Sequence, residues 1–409
     1  MTAVPAAAAV EFLQTPEAIR QRAGAILARG LEGDLAHFTI DLPRLAGAAD
    51  LVAATTRERF PDGRVPLHSR WRHFDVGDCD RSAELDRSLA GQPVDERVRA
   101  KLDLAVTSVL LDAGAGTTWR YHEAETGGAY RRSEGLAVAS FRLFTRGFFS
   151  ADPRVPWRAD AEALRAVTDA SLASALQVST DNPLPGVSGR AHVLRQLGRA
   201  LSQAPALFGA ARPRPGHLLE ALRERAGARG VEAATVLGVV LEGLGSIWPG
   251  RVTLGGVSLG DVWPHPAAGG AGEGAGLVPL HKLSQWLTYS LIEPLGEAGL
   301  PVTGLDRLTA LAEYRNGGLL IDTGVLVPRH PALTTASHRP GDEPIVEWRA
   351  LTVALLDRLA PLVRQRLGDG TLTLASILEG GTWTAGRRLA DERRGGAPPI
   401  CIESDGTVM

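Results

Sequence analysis

Long runs of apolar residues at helical spacing, cut by proline and glycine, constrain this chain more than any other feature. Asp342-Glu343-Pro344 opens an amphipathic run that reaches Leu367. Thr15-Pro16-Glu17 is a start signal, a hydroxyl cap followed by proline in the first turn. Asp41 is placed to cap a second helix through Pro43, Leu45, Leu51 and Val52, and Val98, Leu102, Ala105 and Val109 form a further stripe. The same spacing predicts helices over 134–149, 158–178, 190–210, 216–225, 231–245, 282–293, 306–314 and 342–367. Strand candidates are short, at 251–257 and 400–402, and the Gly/Pro-rich pieces 211–216, 248–276 and 395–399 read as loops. Strands and helices do not alternate, which argues against a doubly wound sheet. The expectation is a mainly α, helical fold with few short strands. Residues 1–409 form either one large helical domain or two packed halves with a weak boundary near 150–156, at Ser150-Ala151-Asp152-Pro153.

Composition narrows the function classes. A net charge of -2 provides no bulk field toward nucleic acid or anionic membrane, so neither is expected as a partner. Cys79 and Cys401 are the only cysteines, too few for a disulfide framework or a thiolate metal site. The histidines are scattered and HExxH is absent, so no metal and no cofactor are expected. Met1 to Val10 lacks the basic and apolar parts of a signal peptide, and no run of about 18 apolar residues appears; a cytoplasmic location is expected. Lys101 and Lys282 are the only lysines among 44 basic residues.

The densest chemistry lies in Leu311-Ala312-Glu313-Tyr314-Arg315-Asn316-Gly317-Gly318, with Asp322 beyond it. An apolar helical run ends here in a carboxylate, a phenol and a guanidinium, and Asn-Gly-Gly is read as the break that follows. The trio reads either as a site or as an ion pair closing a helix. Asp322 is a second carboxylate or a cap. Arg70-Trp71-Arg72-His73-Phe74-Asp75 alternates rings with charges, suited to a planar or sugar ligand or to an interface. Ser133-Glu134 opens a helix, whose N-terminus favours anions. Asp181 and Asn182 sit in the polar turn Ser179 to Gly186, which structure alone explains adequately. Gly256-Val257-Ser258-Leu259-Gly260 matches a nucleophile elbow, but Pro264 and Pro266 oppose the helix that elbow requires.

The chain resembles the uracil-catabolism protein family of the ribosylurea-forming pyrimidine degradation route. The resemblance covers essentially the whole chain. It rests on Arg70 to Phe74, Leu110 to Gly116, Arg132 to Ala137, Asp181 to Gly186, Glu313 to Gly318, Leu378 to Trp383 and Ser404 to Val408. A weaker similarity links His281-Lys282-Leu283-Ser284-Gln285-Trp286-Leu287 and Leu308 to Leu326 to the queuosine salvage proteins. Those are N-glycoside hydrolases with a helical, DNA-glycosylase-like fold. Their Asp-Tyr-Arg trio corresponds to Glu313-Tyr314-Arg315, and their following Pro-Gln is replaced here by Gly317-Gly318.

The resemblances imply a metal-independent N-ribosyl hydrolase of uracil catabolism. It would cleave ribosylurea or its 5'-phosphate, a small-molecule ribosyl substrate, to urea and a ribose species. Glu313 is the expected cation stabiliser, with Asp322 second, and Tyr314 and Arg315 orient it or the substrate. Lys282 and Arg72 are candidates for a phosphate or ribose hydroxyl. Trp71, His73, Glu134, Asp181, Asn182 and Trp286 complete the substrate-binding candidates. The rival readings are a non-catalytic scaffold, a nucleic-acid glycosylase-like module and a Ser258 hydrolase.

Overall fold

The computed structural model describes residues 6–248 and 252–403. The chain is mainly helical, and its strands are two or three residues long. Every described strand pairs with a single partner. The block Ser404 to Val408 and the first residues of the N-terminus lie outside the described residues.

The described chain divides into two compact units. The first comprises 6–68, 252–285 and 304–403; the second comprises 69–248 and 286–303. Residues 150–156, where the sequence suggests a weak boundary, lie within the second unit.

In the first unit the central element is the helix Glu343–Leu367, which opens at Asp342 as its sequence predicts. It packs against Pro16–Leu31 and Leu45–Arg59. Ile345, Leu351, Leu355 and Leu359 are fully buried along it, each contributing roughly 1.5–3 kcal/mol of apolar burial. Pro16–Leu31 starts as expected, with the Thr15 hydroxyl accepting from the Ala18 N–H at 3.1 Å. Asp41 departs from expectation. Its carboxylate makes no cap; it accepts from Arg44 Nε at 2.8 Å, and a 3-10 turn Leu42–Arg44 leads into Leu45–Arg59. Phe38–Ile40 pairs antiparallel with Leu326–Pro328, matching Phe38 to Pro328. The 251–257 strand candidate is realised as the hairpin Thr253–Leu254 with Val257–Ser258. Ser258 therefore sits on a hairpin rather than at a strand-to-helix elbow.

The second unit is built on Val94–Leu111, Arg132–Thr145 and Val187–Gln203. The first of these packs on both of the others. Buried ion pairs knit it. Asp103 meets Arg214 at 2.7 Å with both side chains almost fully enclosed, and Glu123 accepts from Arg81 and Arg142. The 158–178 prediction resolves into two short helices, Ala161–Ala166 and Asp169–Ala175, each started by its own side-chain cap. Among the described residues no helix is long and apolar enough to cross a membrane.

Candidate active site

The first unit corrects the direction of the helix at Glu313. The sequence suggests that a helix over 306–314 ends at the trio and that Asn-Gly-Gly breaks it. Instead a 3-10 turn, Leu305–Arg307, is followed by non-helical chain, and Glu313 starts the helix Tyr314–Asp322 as its N-cap. Its carboxylate accepts from the Asn316 N–H at 2.8 Å and the Arg315 N–H at 3.1 Å. Gly317 and Gly318 lie inside the helix. A Cβ at 317 would stand 2.6 Å from Trp348 Nε1, and one at 318 would stand 3.3 Å from Pro399. The glycines thus serve close packing, not a turn, and that packing outweighs their poor helix propensity. Only the tertiary neighbours reveal this.

Arg315 is buried, 4% exposed. Its Nε donates to Tyr314 Oη at 3.2 Å, and its guanidinium carbon lies 4.2 Å from the centroid of the Trp383 ring. Such a stacked cation contributes about 0.5–2 kcal/mol, more as water is excluded. Trp383 begins the helix Trp383–Arg394 directly after a π-helical turn, Leu378–Thr382. That turn carries Glu379, a residue sequence reasoning missed. Glu379 pairs with His68 Nδ1 at 2.8 Å and with Arg59 Nη2 at 2.9 Å. Burial pushes its carboxyl up, but the His68 contact and Arg59 outweigh it, so the group is held below the usual carboxylate range. The Gly380-Gly381 pair admits the helix Leu45–Arg59, since a Cβ at 381 would fall 2.5 Å from the Val52 carbonyl. Single π turns recur at functional sites, and the Glu-Gly-Gly-Thr-Trp run was the available signal.

Asp322 is buried and engaged by Arg394 at 2.6 and 2.9 Å in a bidentate pair. It closes the far end of the helix that Glu313 opens. Lys282 is buried, not a solvated lysine on a polar face. Its backbone N–H donates to Asp261 Oδ2 at 3.0 Å. Asp261 is gripped by Arg349 at 2.8 Å through both oxygens, which holds its carboxyl far below the usual range despite burial. His281 precedes Lys282 with a left-handed backbone (φ 45°) and faces the Leu13 carbonyl at 2.9 Å. Burial lowers the His281 pKa, so the ring is neutral near pH 7.

The second unit gathers a separate polar group from three of the sequence blocks. Arg70, fully buried, donates through Nε to Ser108 Oγ at 2.6 Å and lies 3.3 Å from Asp112. Burial depresses its pKa against the pull of Asp112 and Glu134. Ser133 Oγ donates to Asp112 Oδ2 at 2.8 Å and lies 3.1 Å from His73 Nδ1. The single hydroxyl proton goes to the carboxylate, so Ser133 does not donate to His73, and Arg70 Nη1 faces both Ser133 Oγ at 3.2 Å and His73 Nδ1 at 3.5 Å. That order differs from an Asp-His-Ser relay and argues against a serine nucleophile. Trp286 completes the group, its ring 5.4 Å from His73 and 5.3 Å from the Arg70 guanidinium carbon. Glu134 is half-buried in the first turn of Arg132–Thr145.

Other candidates have structural work in the second unit. Trp71 is buried and donates its indole N–H to the Ser290 carbonyl at 2.8 Å; Arg72 pairs with Glu293 at 2.6 Å. Asn182 exchanges two 2.8 Å hydrogen bonds with the Arg120 backbone, and Asp181 is exposed. Arg190 donates to the Leu111 and Ala113 carbonyls at 2.9 and 2.7 Å and also to the Pro185 carbonyl. It thereby ties the Asp112 loop to the Asp181–Gly186 turn.

Residues 12–409 match the sequence family described as protein of unknown function (DUF1688). The protein named urg3 from Schizosaccharomyces pombe is 39% identical over 403 residues, covering 96% of each chain. Uracil catabolism protein 4 from Lachancea kluyveri is 40% identical over 411 residues, covering 92% of this chain and 93% of its own.

Proposed function

We propose, from the premise that this chain belongs to the DUF1688 family, that it acts in uracil catabolism as an N-ribosyl hydrolase. The substrate we infer is ribosylurea or its 5'-phosphate, and the products are urea and ribose or ribose 5-phosphate. The name of the Lachancea kluyveri relative supports the pathway. The observation that carries the chemistry is the buried Glu313 at a helix N-terminus, beside an arginine stacked on a tryptophan. The likeness of Glu313-Tyr314-Arg315 to the trio of queuosine salvage hydrolases supports the same reading, and with it a glycosylase-like arrangement of the helices.

Cleavage of a ribosyl C1'–N bond builds positive charge on the ribose ring. A fixed carboxylate below C1' stabilises that charge and orients water. Helix amides hold both Glu313 oxygens in place, so the group needs little reorganisation as charge develops. In the hydrolysis the C1'–N bond breaks, a water oxygen bonds C1', and one water proton ends on the departing urea nitrogen. The other water proton stays on that oxygen as the new C1' hydroxyl, so water is consumed with no net proton released. Arg315 and Tyr314 orient the carboxylate or a substrate hydroxyl, and Lys282 supplies a cation for a phosphate.

The test is to incubate purified protein with ribosylurea and, separately, with its 5'-phosphate, and to measure free urea. Urea release from at least one is expected; none from either would overturn the reading. A scaffold would release none, yet would still support growth on uracil when Glu313 is replaced.

A further inference from the structure

Independently of that reaction, the first unit contains a set of donors that the sequence gives no reason to connect. His37, Glu343 and Glu347 each present one ligand atom, and the three atoms lie within 4.8 Å of one another. His37 precedes the strand Phe38–Ile40, and the two glutamates stand four residues apart at the start of Glu343–Leu367. That spacing puts both carboxylates on one helix face. His37 Nε2 and Glu343 Oε1 are 3.2 Å apart, close to the spacing of adjacent donors around one small cation.

The inner carboxylate provides the second observation. Glu347 is 1% exposed, and its Oε1 accepts the His37 and Phe38 N–H groups at 3.2 and 3.0 Å. Its Oε2 has no hydrogen bond among the described residues. Several other buried acids meet arginine: Asp103 meets Arg214, Glu123 meets Arg81 and Asp322 meets Arg394. Among the described residues, neither Glu347 nor Glu343 has an arginine or lysine partner. A buried carboxylate without a cation is costly. The nearby imidazole, His265, stands with Nε2 3.4 Å from Glu347 Oε2. Its Nδ1 accepts the Ala267 N–H at 3.1 Å, so in the neutral ring Nε2 carries the proton and points a donor, not a lone pair, toward Glu347. His265 thus presents a donor 3.4 Å from the carboxylate without closing a hydrogen bond to it, and it is not itself a ligand.

We propose that His37, Glu343 and Glu347 bind a divalent transition-metal ion. Two carboxylates balance the charge of the ion. The imidazole favours zinc or manganese over magnesium and calcium, which prefer all-oxygen sites. Three protein ligands leave the remaining positions to water, and the half-buried His37 and exposed Glu343 leave a path for entry. The ion would join the strand that begins at Phe38 to the start of the long helix.

The test uses the untagged full-length chain, stripped with chelator and dialysed. Titration calorimetry with Zn²⁺, Mn²⁺ and Mg²⁺ measures stoichiometry and affinity, and thermal melting reads the effect on the fold. One Zn²⁺ or Mn²⁺ per chain with a raised Tm is expected, with Mg²⁺ far weaker. His37→Ala and Glu343→Gln, both outside the core, should keep a native circular-dichroism spectrum and bind at least ~10-fold more weakly. No stoichiometric uptake by the native chain would overturn the site, as would unchanged uptake in both variants. Urea release is not a readout here, so this site and the hydrolase reading fail separately.

Discussion

The Arg315 guanidinium stands over the Trp383 ring, 4.2 Å from its centroid, although the two residues lie in the first turns of different helices. This contact links the helix opened by Glu313 to the π turn that carries Glu379. It holds the side chain whose backbone N–H caps the proposed hydrolytic carboxylate. Trp383→Leu removes the ring and should lower kcat/KM about 10-fold, equivalent to ~1.4 kcal/mol of lost stacking. Trp383→Phe keeps a ring and should recover part of it. Equal losses in both variants, traced to a fall in Tm, would reduce the contact to packing.

Asp322 provides the contrast with Glu313. Because Arg394 and Arg393 engage it, Asp322→Asn should cost about 2–4 kcal/mol of stability by leaving a partly buried guanidinium poorly paired. Turnover per folded molecule should be retained. A variant that melts like the native protein yet releases no urea would transfer the catalytic role to Asp322.

Lys282 is enclosed at the start of its helix. If it contacts a substrate phosphate, Lys282→Met should raise KM for ribosylurea 5'-phosphate at least ~10-fold more than for ribosylurea, the loss of one charge-assisted hydrogen bond. Equal changes for both substrates would remove the phosphate role.

Stability should carry an acid limb from Glu123. Burial raises its pKa, but hydrogen bonds from Arg81, Thr126 and Arg142 outweigh this and bring it to about 2. A folded-state pKa below the unfolded value of roughly 4.3 stabilises the fold above that pH, and the contribution fades as pH falls toward 2. The native protein should therefore exceed Glu123→Gln in unfolding free energy at pH 7, and the gap should narrow steadily between about pH 4 and pH 2. Denaturant titrations at pH 7 and pH 3 measure it, and a gap independent of pH would contradict the assignment.

What the sequence disclosed depended on the range of the cause. Thr15 caps its helix and Asp342 opens the long one because those signals act within a few residues. Asn316-Gly317-Gly318 misled because the same local pattern that ends helices here permits Trp348 to approach closely. Glu313 was legible as an important carboxylate but not as a helix start, since the polarity of that turn depends on which amides it faces. His68 and Glu379 are 311 positions apart, and no spacing rule relates them. His37, Glu343 and Glu347 escaped for the same reason. The arginines that hold Asp322 and the loop at Asp112 were equally invisible among so many others.

Glu313→Gln tests the central claim most directly. The substitution preserves volume and leaves an amide oxygen to accept one of the two capping N–H bonds, so the fold should persist. It removes the negative charge proposed to stabilise the ribosyl cation. The measurement is the rate of urea release from saturating substrate by equal amounts of native and variant protein, each verified as folded by its melting curve. A fall of at least ~10²-fold is expected. A folded variant that releases urea at the native rate would contradict the assignment of Glu313 as the hydrolytic carboxylate.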